Sequence, residues 1–263
     1  MASGAFPILP AHLLSFASRR YAGSLARLRA EAAAVGRFTS VRTLDERSLS
    51  ASYWLEHAET VRRHPRGYGL WTWKPHVIAE VLAGLPPGEM LVYCDAGCSL
   101  NAEGRPRLEE YLTLAAEHPA GLLGFSLDGS AIRWIKRRAL VAFGCDTADF
   151  HQQPMIMAGA LVLRSSPAAS AFIAEWASRM ADLSLVDDSP SPGGEHPEFR
   201  GHRHDQSIFT ILAHQRGVAT ISDETWWPGE WDARRSFPIH ARRWRQRLPW
   251  PQWWMRHAPW PRW

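Results

Sequence analysis

The sequence predicts an α/β fold in which helices cover both faces of a mainly parallel, mixed sheet, giving a three-layer sandwich. Short apolar runs typical of buried strands alternate along the chain with segments of helical periodicity. The 263 residues are 46% hydrophobic, which excludes a wholly disordered chain. The longest apolar run, 155–163, is far shorter than the ~18–20 residues that span a bilayer. This pattern fits one α/β domain.

Strands and helices alternate through the first half of the chain. The apolar residues of 25–35 recur at helical spacing, and Gly36 follows as a stop. Pro75 fits the first turn of a later helix, which Gly84 ends. The predicted strands are 12–18, 38–44 and 90–94, and the predicted helices are 25–35, 50–64, 75–83 and 106–118.

The second half continues the alternation. Residues 187–201 are polar and rich in proline and glycine, so they predict a loop. The predicted strands of this half are 121–125, 155–164 and 218–222, and the predicted helices are 167–180 and 205–215. In such a sheet, ligands bind beyond the carboxyl ends of the strands.

The cysteines and the first residues favour a cytoplasmic protein. The three cysteines, Cys94, Cys98 and Cys145, include no Cys-x-x-Cys pair, and their low number favours reduced thiols. The first ten residues lack a basic segment, and two prolines interrupt their apolar stretch, so we expect no secretory signal.

The C-terminal segment differs in composition from the rest. The net charge is +4, yet 226–263 holds eight arginines against Glu230 and Asp232, together with nine of the fourteen tryptophans. Arginine interleaved with tryptophan suits an anionic membrane surface, where the segment would be a peripheral anchor. It also suits single-stranded nucleic acid, which we favour less, or a tail packed on the domain. We divide the chain into a domain, 1–243, and a tail, 244–263.

Asp95 is the first candidate functional residue. It follows the apolar strand 90–94, so its carboxylate emerges from a buried strand into a crevice. Ala96 and Gly97 remove bulk there, which lets a ligand or metal approach the backbone. A hard cation such as Mg²⁺ or Mn²⁺ takes oxygen ligands of this kind. The structural alternative is that Asp95 caps the following turn.

The second candidate cluster is Gly201-His-Arg-His-Asp-Gln-Ser207. Asp205 would lie at a helix N-terminus, where it either satisfies free N–H groups or, with Gln206, faces a polar ligand. His202 and His204 alternate and could share a face as metal ligands, although no third partner is located.

Two further segments offer binding groups. Gly67-Tyr-Gly-Leu-Trp-Thr-Trp-Lys-Pro75 is either a packed aromatic corner or a ligand wall whose rings stack on sugars or bases, with Lys74 beside phosphate. The stretch 237–243 places His240 as a candidate metal ligand and Arg242 or Arg243 as candidate phosphate contacts.

The ordered set of motifs 67–75, 91–98 and 202–207 resembles bacterial glycosyltransferases with a GT-A-type fold, in particular enzymes of capsular and surface-polysaccharide synthesis. The similarity covers most of 12–245. It implies a GT-A-like fold and a nucleotide-sugar donor, with Asp95 at the metal and diphosphate position and His240 as a second metal ligand. Asp205 and Gln206 would then line the sugar or acceptor side.

This sequence departs from the family pattern at one point. Asp-Ala-Gly at 95–97 has one carboxylate where the Asp-x-Asp motif of the family has two, so His240 or water would have to complete a Mn²⁺ or Mg²⁺ site. With this resemblance, the expected catalytic residues are Asp205 and Gln206, and the expected metal ligands are Asp95 and His240. The expected substrate-binding residues are Tyr68, Trp71, Trp73, Lys74, Asp95, Ala96, Gly97, His204 and Arg242.

The resemblance implies a glycosyltransferase that transfers a sugar from a nucleotide-diphosphate sugar to a cell-surface glycan or lipid-linked acceptor. We expect it in the cytoplasm, with the tail on the inner face of the membrane. Two alternatives remain open. One is a metal-dependent hydrolase that uses His202, His204 and Asp205, and the other is a non-catalytic peripheral membrane-binding protein.

Overall fold

The computed structural model describes residues 9–227, 229 and 234–243. The predicted tail, 244–263, lies outside these residues. The strands, numbered along the chain, are β1 (Ala11–Phe16), β2 (Ser40–Leu44), β3 (Met90–Cys94), β4 (Ser99–Leu100), β5 (Leu122–Ser130), β6 (Pro154–Ile156), β7 (Ala160–Arg164), β8 (Ala219–Ser222) and β9 (Ile239–His240).

The longer helices alternate with these strands, as the apolar periodicity predicts. The helices are α1 (Ala22–Val35), α2 (Ala51–Arg63), α3 (Gly67–Leu70), α4 (Trp73–Ala83), α5 (Arg105–Glu117), α6 (Ala131–Trp134), α7 (Arg137–Ala142), α8 (Ala148–His151), α9 (Pro167–Met180), α10 (Leu183–Val186) and α11 (Asp205–Gln215). One-turn 3₁₀ helices lie at Arg19–Tyr21, Glu46–Ser48 and Ala102–Gly104. No helix in the described part of the chain is long and apolar enough to cross a bilayer.

Seven strands form one mixed sheet in the order β2-β1-β3-β7-β5-β6, with β8 paired to β5. Strands β1, β2, β3, β5 and β8 run in one direction, while β6 and β7 run in the other. The prediction of a mainly parallel, mixed sheet is therefore confirmed. Strands β4 and β9 form a separate antiparallel pair.

Both faces of the sheet are covered. Along β3, Leu91 and Tyr93 point into a core shared with α4, α9 and α11. Met90, Val92 and Cys94 alternate with them and pack into a second core with α1 and α5. This period-two alternation of buried side chains is how one strand supplies two cores. The predicted three-layer arrangement is confirmed.

The predicted strand 155–164 forms two strands instead of one. Strand β6 pairs with β5, whereas β7 pairs with both β3 and β5, and residues 157–159 separate them. The separation places Ala158 and Gly159 against the end of β3, where the candidate site lies.

Candidate active site

A large open cleft of ≈ 3330 Å³ lies at the carboxyl ends of the parallel strands. Ala17 follows β1, Asp95 follows β3, Leu127 lies in β5 and Asp223 follows β8, and all four line the cleft. This is the position at which α/β sheets bind ligands, because the loops there leave a crevice between neighbouring strands.

A buried lysine joins two carboxylates at the floor of this cleft. The Nζ atom of Lys74 lies 2.5 Å from Oδ2 of Asp205 and 3.2 Å from Oδ1 of Asp95. It also donates a hydrogen bond to the carbonyl oxygen of Ala158 at 3.2 Å. The side chains of Lys74 and Asp205 are 3% and 7% exposed, whereas that of Asp95 is 36% exposed. Asp95 is therefore the member of this cluster that a ligand can most readily reach.

The carboxylates and the ammonium of the cluster shift one another's pKa values. Burial by itself would lower the pKa of Lys74, but Asp205 and Asp95 outweigh it, so the pKa is raised and the ammonium stays protonated. Burial raises the pKa of Asp205, and the ammonium of Lys74 opposes that rise. Two carboxylates face one ammonium, so the ionised cluster is anionic overall.

Two residues that the sequence reasoning did not single out fix Asp95 in place. The hydroxyl of Tyr93 donates a hydrogen bond to Oδ1 of Asp95 at 2.7 Å, and burial followed by the charge of Asp95 raises the pKa of this tyrosine, which stays protonated. The backbone N–H of Asp95 donates a hydrogen bond to the carbonyl oxygen of Gly159. A Cβ atom at position 159 would lie only 2.9 Å from Oδ2 of Asp95, so a larger residue would crowd the carboxylate. The small pair Ala158-Gly159 inside an apolar run was the available signal.

The segment that leads into Lys74 has an unusual backbone, because the short element α3 and Trp71 form a left-handed turn and not a regular right-handed helix. Residues 67–71 all have positive φ, including Tyr68 at 55°, Leu70 at 57° and Trp71 at 60°. The left-handed conformation costs an L-residue roughly 1–2 kcal/mol, so the surroundings must hold it in place. At Gly69 a Cβ would approach Val61 to 2.8 Å, which explains why glycine occupies this position.

Hydrogen bonds and ring contacts stabilise this left-handed turn. The indole N–H of Trp73 donates a hydrogen bond to the carbonyl oxygen of Gly67 at 2.9 Å. The hydroxyl of Thr72 donates to the carbonyl oxygen of Gly69, also at 2.9 Å. The ring of Trp71 stacks on His204 with centroids 5.5 Å apart. His204 itself has a φ of 49° and directly precedes Asp205, the first residue of α11. Strained backbone therefore precedes both Lys74 and its partner.

Most of the sequence-predicted site residues meet at the cleft, and two do not. Those that line it are Tyr68, Trp71, Trp73, Lys74, Asp95, Ala96, Gly97, His204, Asp205 and Gln206. Among the described residues, His240 and Arg242 are outside its lining, whereas Arg243 is part of it. Nε2 of His240 lies 2.9 Å from the carbonyl oxygen of Phe237, and its Nδ1 lies 3.4 Å from the guanidinium of Arg242.

The donor set around Asp95 does not fit the divalent cation that the resemblance implies. Oδ1 of Asp95 already accepts the Tyr93 hydroxyl and lies beside the Lys74 ammonium, and Asp205 is paired with the same ammonium. Mn²⁺ and Mg²⁺ are usually held by one or two protein carboxylates, with water and substrate phosphates as the other ligands, and here both carboxylates are engaged with the Lys74 ammonium. No set of three converging ligands in the described part of the chain includes Asp95 or His240. Lys74 provides the positive charge at this point.

The histidines considered for a hydrolase do not converge with Asp205. Nδ1 of His202 accepts the backbone N–H of Lys136, while Nδ1 of His204 lies 2.8 Å from the carbonyl oxygen of Val186. Burial, followed by the charge of His204, lowers the pKa of His202 to about 3. No three-ligand set within the described ranges contains these two histidines together with Asp205.

Comparison with known proteins identifies no family for the chain. No protein-family model matches it, and no curated protein matches it.

Solved structures with a similar arrangement of elements are distant in sequence. A glycosyltransferase involved in the glycosylation of the major capsid of PBCV-1 is 12% identical, with 88% of this chain and 93% of that chain covered and a TM-score of 0.47. Mouse xyloside xylosyltransferase 1 is 15% identical, with 89% of this chain and 97% of that chain covered and a TM-score of 0.40. Galactosyltransferase LgtC, in complex with donor and acceptor sugar analogs, is 13% identical, with 87% of this chain and 86% of that chain covered and a TM-score of 0.46.

Proposed function

We propose that the chain is a glycosyltransferase that moves a sugar from a nucleotide-diphosphate sugar to a cell-surface glycan or lipid-linked acceptor. One observation carries the proposal. Each of the three motifs behind the sequence resemblance contributes one charged residue, Lys74, Asp95 or Asp205, to the same ion-pair cluster. The cluster lies at the floor of the cleft, so the three motifs form one site.

The groups around the floor suit a sugar. Asp95 presents a half-buried carboxylate, which accepts hydrogen bonds from sugar hydroxyls. Tyr68 and Trp71 line the same cleft and offer aromatic faces that pack against sugar or base rings. In this proposal, Asp205 and Gln206, at the start of α11, orient the sugar or serve as the base for the acceptor hydroxyl.

Arginines suit the diphosphate part of the donor. Arg20, Arg203 and Arg243 line the cleft, and guanidinium groups bind phosphate oxygens in bidentate geometry. As the bond from the sugar to the diphosphate breaks, negative charge grows on the leaving nucleoside diphosphate, and fixed positive charges stabilise it. We assign that contact to the arginines.

Lys74 has a different role in this proposal. It is too deeply buried to be the main phosphate contact, and its ammonium favours the ionised form of Asp205, which burial works against. We therefore assign Lys74 to keeping Asp205 ionised and to orienting both Asp95 and Asp205, without a divalent cation at Asp95. We also propose a cytoplasmic location, with the tail, 244–263, on an anionic membrane surface.

The test uses the purified full chain and a panel of nucleotide-diphosphate sugars, each with Mn²⁺ and with EDTA. We expect donor hydrolysis or transfer with at least one donor at a similar rate in both conditions. Asp95→Ala should lower that rate at least ~100-fold, because it removes a carboxylate that contacts the sugar. Circular dichroism should show that the variant remains folded.

Asp149→Ala is the matched control, because Asp149 is an exposed aspartate on α8 that does not line the cleft. It should retain the wild-type rate. Wild-type turnover of no donor in the panel, or full turnover by Asp95→Ala, would contradict the proposed function. A strict requirement for Mn²⁺ would leave sugar transfer in place and overturn the role given to Lys74.

A further inference from the structure

Two clusters of histidine and carboxylate side chains lie away from the floor of the cleft. One consists of Glu56, His57 and His76, and the other of Asp146, His151 and His196; in each, the ligand atoms lie within 4.8 Å of one another. The two clusters have similar composition but differ in their internal distances and in how fully their polar atoms are already paired.

The Asp146 cluster is complete without a metal. Nε2 of His151 and Nε2 of His196 lie 2.8 Å and 2.6 Å from the same oxygen, Oδ1 of Asp146. The other carboxylate oxygen accepts a hydrogen bond from Arg137 at 3.0 Å. These are ordinary hydrogen-bond distances, and each imidazole can donate its Nε2 proton to the carboxylate. This cluster joins the loop 187–201 to α8.

The Glu56 cluster has wider spacing. The Nε2 atoms of His57 and His76 lie 3.1 Å apart, where one imidazole can donate a hydrogen bond to the other, and Oε2 of Glu56 lies 3.4 Å from Nε2 of His57. Tetrahedral zinc has bonds of ~2.0–2.1 Å to nitrogen and oxygen, which puts neighbouring ligand atoms roughly 3.3 Å apart. Both measured distances are close to that value.

The chemistry of this donor set matches the spacing. Two imidazole nitrogens and one carboxylate oxygen form a common zinc ligand set that leaves a fourth position for water. His57 comes from α2 and His76 from α4, so two helices present the nitrogens. The Tyr53 ring packs at centroid distances of 4.8 Å from His57 and 5.2 Å from His76, which restricts both imidazoles. Glu56 is half exposed, so an ion can enter from solvent.

We propose that Glu56, His57 and His76 form a zinc site that joins α2 to α4. The left-handed turn, 67–71, connects these two helices, and His76 lies two residues after Lys74. Zinc at this site links the start of α4 to α2. The proposal does not depend on the proposed glycosyltransferase activity.

The experiment titrates the EDTA-stripped full chain with Zn²⁺ by calorimetry and, in parallel, with Co²⁺ while its visible absorption is recorded. We expect one zinc ion per chain and the intense absorption of four-coordinate cobalt. His76→Gln, at a half-buried position, should weaken zinc binding at least ~100-fold, and Glu56→Gln about tenfold. Circular dichroism and thermal unfolding of each stripped variant check that it is folded.

His196→Gln is the matched control, because it removes one imidazole from the Asp146 cluster and leaves the Glu56 cluster intact. It should retain wild-type zinc affinity and cobalt absorption. Absence of stoichiometric zinc binding by the wild type would overturn the proposal. It would also be overturned if zinc binding were lost in His196→Gln and kept in His76→Gln, or if all variants bound zinc equally.

Discussion

Lys74 and Lys136 are the only lysines in a chain with 28 arginines, and both are buried, but only Lys74 borders the large cleft. Lys136 lies beside a separate cavity of ≈ 230 Å³ under the loop 187–201. An ammonium is a more compact donor than a guanidinium, so it fits where a side chain must be enclosed. The two lysines share burial and differ in what they hold together.

Lys136 is satisfied by a single loop. Its Nζ donates to the carbonyl oxygen of Asp187 at 3.0 Å, to Oδ1 of the same residue at 2.9 Å and to the hydroxyl of Ser189 at 3.3 Å. Next to it, Glu195 accepts the backbone N–H of Arg137 at the start of α7. These contacts attach the loop to the domain.

Lys74 instead connects residues from separate parts of the chain, and one of its partners opens to the cleft. Burial and an ion pair are common to both lysines, so neither feature alone marks a functional site. The distinguishing feature is that Lys74 holds a carboxylate at the surface of a cleft. Substitutions at the two lysines should therefore separate activity from stability.

Lys74→Met should give the largest effect. Removing the ammonium takes away the group that positions both Asp95 and Asp205, so we expect turnover to fall at least ~100-fold. The free energy of unfolding should fall by about 3–5 kcal/mol, because Asp205 stays buried without its partner. Turnover with the donor found in the panel and urea unfolding measure the two effects.

The double variant Lys74→Met/Asp205→Asn separates these effects. It removes the buried unpaired charge, so it should recover much of the lost stability while staying inactive. A stable, active Lys74→Met protein would remove the distinction between the two lysines.

Lys136→Met should change stability and leave the site working. We expect the free energy of unfolding to fall by about 2–4 kcal/mol, less than for a fully enclosed pair because Asp187 is partly exposed. Turnover per folded molecule should stay within about twofold of wild type, because Lys136 does not line the large cleft. A tenfold loss of turnover in a folded variant would show that the loop 187–201 takes part in the reaction.

The sequence predicted the elements whose signals are local. Strand β3 has the predicted bounds because an apolar run ends at Asp95, and α9 and α11 have the predicted bounds because Pro167 and Asp205 open periodic segments. The contacts within the cluster of Lys74, Asp95 and Asp205 were harder to predict from the sequence. The three residues were predicted as site residues, but their mutual contacts depend on strand order and helix packing, which the sequence pattern leaves open.

The left-handed turn and the strand break were not predicted. Five consecutive residues with positive φ contradict local propensity, since three of them are not glycine. Contacts with Thr72, Trp73 and His204, together with the backbone hydrogen bonds of the turn, hold them there. The break at 157–159 lies inside an apolar run that has no turn residue except Gly159. It exists because β6 and β7 have different neighbours in the sheet.

The smallest predicted effect is on the pH dependence of stability, and it has opposite signs at Asp187, which pairs with Lys136, and at Asp205, which pairs with Lys74. Burial works against ionised Asp187, but hydrogen bonds from Ser189 and Lys136 outweigh it and lower its pKa below 3.8. Its stabilising contribution is therefore complete above the unfolded value and is lost as the pH falls through the folded pKa. Burial raises the pKa of Asp205, so protonation of Asp205 favours the folded state as the pH falls.

Urea unfolding of wild type, Asp187→Asn and Asp205→Asn from about pH 6 to about pH 3 tests these signs. The stability advantage of wild type over Asp187→Asn should shrink toward the acid end, because the native carboxylate becomes protonated. Relative to Asp205→Asn, wild type should gain stability over the same range. If both differences changed in the same direction, Asp205 would be an ordinary stabilised carboxylate like Asp187, and the electrostatic contrast between the two lysine sites would be lost.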